Sequence, residues 1–427
     1  MKMLHPPPAV REIADRLEDA GYEAWCVGGA IRDALLGHAH LDWDLATSAT
    51  PAEVRALFGG RRTIPVGVEF GTVGVLDRDN KMHEVTTFRR DVKTDGRHAE
   101  VEFGVSLDDD LARRDFTINA IAYSPRRDEV RDPFGGQRDL EAKIVRAVGD
   151  PEARMREDRL RALRAIRFAA RFGFRIDDAT HRAIEASAPH LGRVSPERVK
   201  QELDKTMEQV ARPSTAFATW QSSGAFATLV PALANATAEA LSVPDCLAMP
   251  GVRTRPARRA LRFAGLLASL DGGTATKVMM SLRASKHEIQ LVEYLVGRWH
   301  KLGAEIASNA NPSDADVRRW VAGIGRLHVG AFMRLADANW AAARANGRPA
   351  PSKRIIHALY RRMLRSSLRD PIDLGSLAVD GDDLRAAGVQ PGPALGRILH
   401  ALLDAVIEDP SRNTRDCLLR LAGELDS

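Results

Sequence analysis

Apolar residues recur along this chain at two different spacings, and the change from one to the other divides it. Residues 9–21 (AVREIADRLEDAG) place Val10, Ile13, Ala14 and Leu17 at helical spacing, and Gly21 is a stop. The apolar run Trp25–Val27 then meets Gly28 and Gly29. A helix-like piece carrying Arg32 and Asp33 follows, and an extended segment with Asp42 and Asp44 leads to Thr47. Thr50-Pro51-Ala52-Glu53 reads as a capped start for a helix running to Phe58. Residues 71–76 and 82–88 read as strands joined by a hairpin turn over Asp77-Arg78-Asp79-Asn80. Residues 89–106 are polar and weakly periodic, which predicts a mostly mobile loop, and order returns over 107–123. The section to about residue 125 is thus expected to be an α+β domain with a small sheet.

From Pro151 the helical period takes over. Helices are predicted at 156–172, 179–187, 195–210, 213–222, 256–270, 274–282, 286–301, 313–324, 327–346, 351–365 and 394–408. Pro/Gly-rich stretches at 231–256 and 366–395 read as boundaries, and no internal repeat interrupts the pattern. The expected architecture is a head on a long helical arm.

Composition supports that division. At 427 residues the chain exceeds one ordinary core, and 44% hydrophobic content rules out disorder as its main state. Only 5% of residues are aromatic, while alanine, leucine and arginine abound, which favours helices over sandwiches or barrels. A net charge of +5 fits a polyanionic partner without demanding one. Cys26, Cys246 and Cys417 lie far apart with no metal-ligand spacing, as in a reducing compartment. No uncharged stretch approaches the ~20 residues needed to span a bilayer, and MKMLHPPPAV carries no apolar signal core. Cytoplasm is the expected location.

The candidate chemistry begins at the Gly28-Gly29 turn. Glycines let backbone N–H groups approach an anion, and the following helix start favours one. Asp42 and Asp44, at i and i+2 on a strand, point to one face. Adjacent carboxylates repel unless a cation lies between them, and hard divalent ions such as magnesium take such oxygens. Glu84, on another predicted strand, is either a third metal-facing carboxylate or a solvated edge charge. Arg113-Arg114-Asp115 can grip phosphate and a ribose hydroxyl, or form a salt-bridged surface corner. In EDRLRALRAIR, Leu160, Leu163 and Ile166 trace an apolar stripe. Asp158 and Arg161 stand at i, i+3 as neighbours, and Arg164 and Arg167 continue the progression. That face can read a base edge and reach phosphates, or simply be solvated. Ser195-Pro196 opens another helix, in which Glu202, at i+4 from Arg198, reads as structural support.

Taken together, GGAIRD with DWD, RRDFTINAIA, DPFGGQRDL, EDRLRALRAIRF and SPERVKQEL occur in an order that resembles the bacterial class II tRNA nucleotidyltransferase and poly(A) polymerase family. The likeness covers residues 20 to 210, with weaker similarity around Lys277–Val296. It implies a polymerase-β-like α+β head with a small mixed sheet, followed by an all-α neck, body and tail. The implied divisions are a head at 1–127, a connector and neck at 128–212, a body at 213–330 and a tRNA-binding tail at 331–427.

The resemblance also implies roles. Gly28, Gly29 and Arg32 would contact the incoming nucleotide, and Asp42 and Asp44 would bind Mg2+. Arg114 and Asp115 would hold phosphate or ribose. Asp158 and Arg161 would pair with the edge of cytosine or adenine, and Arg164 and Arg167 would line the same site. The DPFGG block would be a springy connector, and the 89–106 loop would help switch nucleotide preference. Basic stretches at 253–262 and 353–365 are candidate tRNA contacts.

Thr63–Val75 resembles the tRNA enzymes; poly(A) polymerases tend to carry a strongly basic stretch there, and this chain has only Arg61 and Arg62. No His-Asp dipeptide occurs, so the phosphohydrolase domain of some relatives is not expected. The expected activity is addition of CCA to tRNA from CTP and ATP, releasing pyrophosphate. The alternatives are a CC-adding or A-adding specialist, a poly(A) polymerase, or a non-catalytic RNA-binding protein on the same scaffold.

Overall fold

The computed structural model describes residues 4–38, 42–94, 99–251 and 255–426. It divides into two compact units, Met1–Val210 with Thr215–Ala234, and Ala211–Ser214 with Asn235–Ser427.

In the first unit, α1 (Pro8–Asp19) buries Val10, Ile13, Ala14 and Leu17, the four residues of the apolar stripe. The strand β1 (Ala24–Val27) is buried at every position because it pairs on both sides. At Gly28 the backbone turns at φ 75°, in the left-handed region that favours glycine, and α2 (Gly29–Leu35) follows. Next come β2 (Asp44–Thr47) and α3 (Pro51–Phe58), whose start carries the predicted Thr50/Glu53 capping box. The strands β3 (Thr63–Gly67), β4 (Thr72–Leu76) and β5 (Met82–Thr87) complete one side of the sheet. The β4–β5 turn is held by the Asp77 carboxylate, which accepts from the Asp79 and Lys81 backbones, with Asn80 at φ 58°.

The predicted loop at 89–106 contains a two-stranded antiparallel sheet, β6 (Arg89–Thr94) and β7 (Ala99–Phe103). Residues 95–98 between them lie outside the described residues. The segment's charged residues obscured the strands, because a two-stranded ribbon has no need of the apolar alternation that a half-buried strand shows. After α4 (Leu107–Ala112), strands β8 (Ala122–Ser124) and β9 (Glu129–Arg131) close the sheet in the order β3-β4-β5-β2-β1-β8-β9. Only β2 and β5 run parallel, so the sheet is mixed. One layer of its core is Trp25, Val27, Ala46, Phe88, Leu107, Leu111, Ala120, Ala122 and Val148.

The DPFGG block is an ordered turn. Asp132 accepts from the backbone N–H groups of Gly136 and Gln137 (2.7 and 2.9 Å), capping α5 (Gly136–Glu141). Two further short strands, β10 (Ile144–Val145) and β11 (Arg175–Ile176), form a parallel pair. Beyond β9, the regular structure of the described residues is helical except for this pair. The predicted continuous helix at 156–172 is instead α6 (Pro151–Glu157) and α7 (Leu160–Phe172), broken at Asp158 (φ −142°, ψ 104°). The break arises because the Asp158 side chain accepts from the Leu160 backbone N–H, a local bond that competes with a continuing helix. Helices α8 (Asp178–Ser187) and α9 (Pro196–Gln209) pack on α6 and α7.

The second unit is helical. Arg255–Leu266, Gly272–Ser281, Lys286–Ser308, Asp314–Ile324, Val329–Ala345, Lys353–Arg369 and Pro393–Glu408 correspond to predicted helices. Gly381–Ala386 and Arg415–Asp426 were not anticipated. The last buries Leu418 and Ala422 against Leu384, Leu402 and Val406, a pairing between segments distant in sequence. Within the basic stretch at 253–262, Arg262 is 1% exposed and donates to the Leu247 carbonyl, so it supports the fold and is not an RNA contact.

Gly136 tests this architecture. A Cβ there would lie 2.2 Å from the Thr117 carbonyl oxygen and 2.8 Å from Ile121. Gly136→Ala is expected to lower stability by about 1–3 kcal/mol, as overpacking does, read as a lower urea midpoint at unchanged slope. An unchanged midpoint would mean that α5 can shift without cost.

Candidate active site

The turn at Gly28, the segment 113–119 and helices α7 and α9 enclose a cavity of about 500 Å³. It is lined by Gly28, Gly29, Arg32, Arg113, Arg114, Asp115, Asn119, Asp158, Arg161, Arg164, Arg167, Phe168, Arg171, Lys205 and Gln209. The sequence is compatible with so many cations in one wall because each is set against a carboxylate or an aromatic face. Gly28 is needed twice: for its positive φ, and because a Cβ would lie 2.8 Å from Arg114 Nη1.

Arg32 is 4% exposed. It donates to Asp33 (2.7 Å) and to Asn119 Oδ1 (2.5 Å), and lies about 5 Å over the rings of Phe168 and Phe172. Asn119 in turn donates to Asp115 Oδ1 (2.8 Å), which also accepts from the Phe116 backbone. Arg164 donates to Asp115 Oδ2 (2.8 Å). With three donors already on its oxygens, the Asp115 carboxylate is fully engaged in orienting Asn119 and Arg164. Burial opposes its charge, yet Arg164 and then Asn119 hold it below the usual carboxylate range. Arg113 and Arg114 share the buried Asp110. Arg114 Nε is buried and makes no hydrogen bond, an orphan donor in the cavity wall.

The other wall differs from the sequence expectation. Asp158 and Arg161 do not form a pair along one helix face, because Asp158 stands outside the helix. Its two oxygens accept from the Arg198 guanidinium at 3.1 and 2.8 Å. Arg161 donates to Glu157 (2.6 Å) and to the carbonyls of Arg154 and Arg113. Glu202 pairs with Arg167 at 2.6 Å, with both side chains under 5% exposed, while Arg198 is engaged with Asp158. Burial opposes the Glu202 charge, but Arg167 and Arg164 keep it low. Sequence reasoning missed Asn119, Glu157, Arg198 and Glu202 as members of this network. All four lie within the motifs quoted above, and the excess of arginine there signalled that partners were needed.

Asp42, Asp44 and Glu84 do not line the cavity but stand beside it. Asp42 precedes β2, and Asp44 is its first residue, in register with Val27, the residue before Gly28. Glu84 is on the adjoining strand β5. Although the Asp44 side chain reaches water, desolvation pushes it up to about 6, with Glu84 and Asp42 acting the same way and Arg114 opposing. Among the described residues, no three His, Cys, Asp or Glu side chains are gathered closely enough to hold a metal ion.

Comparison with known proteins gives this arrangement its context. The chain is 34% identical over 421 residues to the CCA-adding enzyme of Limosilactobacillus fermentum, covering 97% of this chain and 96% of that enzyme. The chain belongs to the CCA-adding enzyme family. The enzyme of Leuconostoc mesenteroides is 47% identical over 198 residues, 46% of this chain and 48% of that one. Family models match for the Poly A polymerase head domain at residues 24–146, for the "Probable RNA and SrmB- binding site of polymerase A" at 173–237, and for tRNA nucleotidyltransferase domain 2 at 361–422. The structure of the Bacillus stearothermophilus CCA-adding enzyme in complex with CTP matches with a TM-score of 0.74 at 29% identity, covering 98% of each chain. That of the Thermotoga maritima CCA-adding enzyme complexed with tRNA_CCA matches with a TM-score of 0.66 at 22% identity, covering 99% and 97%, and shares the fold.

The Asp115 network of this CCA-adding enzyme family member gives a pH dependence. A carboxylate whose folded pKa is depressed contributes stability that is complete above its unfolded value, 3.8 here, and lost as pH falls through the folded value. Asp115→Asn is expected to cost ~2 kcal/mol at pH 7, the scale of a hydrogen bond to a charged group, and to flatten the acid limb of urea midpoint against pH. An acid limb identical to the parent's would refute the assignment.

Proposed function

We propose that this chain extends the 3′ end of tRNA with C, C and A from CTP and ATP, releasing pyrophosphate at each step. The observation that carries the proposal is the guanidinium-lined cavity opening beside Asp42 and Asp44, in a chain aligned along nearly its whole length with CCA-adding enzymes. One relative of the same fold was solved with CTP, which agrees with a cavity sized for one nucleotide.

On this reading Arg32, Arg113 and Arg114 hold the triphosphate at the Gly28-Gly29 turn. Asp115 acts by holding Arg164 and Asn119, and the Glu202 carboxylate holds Arg167. Asp158 and Arg161 face the base. Cytosine and adenine both present an amine donor beside a ring-nitrogen acceptor. A carboxylate next to a guanidinium complements that edge, whereas uracil and guanine present a carbonyl beside an N–H. A wrong edge would leave buried polar groups unpaired, which is how a site of this kind rejects it. The Arg198 guanidinium keeps Asp158 aimed.

The donor set beside the cavity fits a hard divalent cation, Mg2+ in our reading, because burial and the neighbouring carboxylates both disfavour the Asp44 charge and a bound cation would offset them. Asp42 and Asp44 would hold it, with Glu84 on the same sheet face. When bound it neutralises phosphate charge and eases ionisation of the attacking hydroxyl. The chain's own residues place the α-phosphate in line with the RNA 3′-hydroxyl by gripping the outer phosphates. Residues 1–127 would carry this chemistry, 128–212 the base-reading wall, and 213–330 and 331–427 the body and the tail that holds tRNA by shape and phosphate contacts. Among the described residues no helix is long and apolar enough to cross a membrane, and we place the reaction in the cytoplasm.

Incubation of truncated tRNA with labelled CTP, ATP or both should give two C additions from CTP alone and a terminal A only when both are present. Stopping at CC with both nucleotides, adding A alone, or unlimited A-tailing would identify a CC-adding, an A-adding or a poly(A) enzyme respectively. No incorporation by the intact protein would leave a non-catalytic RNA-binding role. Asp42→Ala is expected to cut turnover by at least ~10²–10³-fold, the scale of lost electrostatic stabilisation, without weakening tRNA binding in a filter assay. Retained turnover would refute the cation-binding role. Arg161→Ala should relax discrimination against UTP more than it raises the Kd for tRNA; unchanged selectivity would remove it from base reading.

A further inference from the structure

The sheet face that carries Asp44 has a second half with different chemistry. Asp44 lies beside Glu84 across the parallel β2–β5 pair. Glu84 is opposite Gly74, and Gly74 is opposite Ile64, so these three side-chain positions share one face across β5, β4 and β3. Met82, two residues before Glu84, is on that face too. Val66 joins them, since a Cβ at Gly74 would lie 2.6 Å from Met82 Sδ and 3.0 Å from Val66 Cγ2. Ile64, Val66 and Met82 are 41, 43 and 41% exposed. Three large apolar side chains thus form an open strip over a glycine floor, and the strip runs straight into the carboxylates.

Such a strip costs solubility unless something uses it. It is poorly suited to edge-to-edge pairing with another sheet, because Pro65 removes a backbone donor from the middle of β3 and the register shifts between Pro65 and Gly67. It is equally unsuited to phosphate. Arg62, which precedes β3, is turned to the Leu76 carbonyl through two bonds of 3.1 and 2.9 Å. What remains is a flat, apolar, uncharged ligand that must come within reach of Asp44. The RNA 3′ end satisfies this: its hydroxyl has to meet the carboxylates, and its bases are the flat apolar parts of the strand. Three inter-strand steps separate β2 from β3, ~14 Å in all, so the strip is longer than the face of a single base.

We propose that Ile64, Val66 and Met82 form a platform for the bases of the last nucleotides of the RNA primer, contacting their faces without reading their edges. A platform of this kind is indifferent to base identity, as it must be if the terminal nucleotide changes from one addition to the next. The proposal rests on the nucleotidyl transfer read above; the three side chains are positioning residues and take no part in the chemistry.

The test uses the full chain with Ile64→Thr and Met82→Thr combined, substitutions that suit a strand and remove the apolar surface. The KM for truncated tRNA is expected to rise about ten-fold, within the range for losing a base contact, while the KM for CTP, kcat and the thermal midpoint stay at parent values. An unchanged KM for tRNA would overturn the proposal, as would equal rises in both KM values with a lowered midpoint. In parallel, tRNA ending in 4-thiouridine should crosslink to the 64–82 segment of the parent; crosslinks confined to other segments would also overturn it. A parent dimer that the variant converts to a monomer would assign the strip to self-association instead. Absence of CMP incorporation by the parent would refute the transferase reading, while the crosslink would still report where the RNA end lies.

Discussion

The site depends on one constraint: arginine can be packed into a protein wall only if each guanidinium finds a carboxylate, a carbonyl or an aromatic face. Seven arginines line the cavity. Burying them without partners would cost several kcal/mol each. The chain meets the constraint with a relay in which Asn119 connects Arg32 to Asp115, Asp115 holds Arg164, and Glu202 holds Arg167 and approaches Arg164. The result is a wall rich in positive charge and nearly fixed in geometry. A site for a triphosphate needs both properties, since preorganised charge acts without first having to reorganise.

The carboxylates beside this wall follow the opposite rule. Asp44 is pushed up to about 6, first by burial and then by the neighbouring Glu84 and Asp42 charges, with Arg114 opposing. One side of the site is therefore locally neutralised and the other is locally frustrated. On the proposed reading, that asymmetry distinguishes a binding wall, which has to stay fixed, from a place prepared for a cation. The sheet that carries the frustrated side is built around β1, buried on every residue, so these carboxylates are displayed from a rigid element.

Much of this was legible before the structure. Val10, Ile13, Ala14 and Leu17 marked their helix by spacing, and the Thr50 capping box marked another by chemistry. Gly28 was conspicuous where a strand ended, although nothing in the sequence said that Arg114 would fill the space a Cβ would occupy. The readings that changed were those that assumed regular periodicity where a side chain intervened. Asp158 breaks a helix that the apolar stripe alone carries through, and the 89–106 segment pairs as strands despite its polar composition.

The sequence by itself determined which residues would be local neighbours and which segments had to bury a face, because helical and strand periods are properties of the chain alone. It determined the family as well, through five motifs in order. What only the tertiary structure decided was partnership. Arg198 takes Asp158, Glu157 takes Arg161 and Glu202 takes Arg167. Two of these three pairs join residues 35 and 40 positions apart. Charge pairing acts through space and not along the chain, so an arginine-rich helix states that partners are required, and only the packed fold supplies their names.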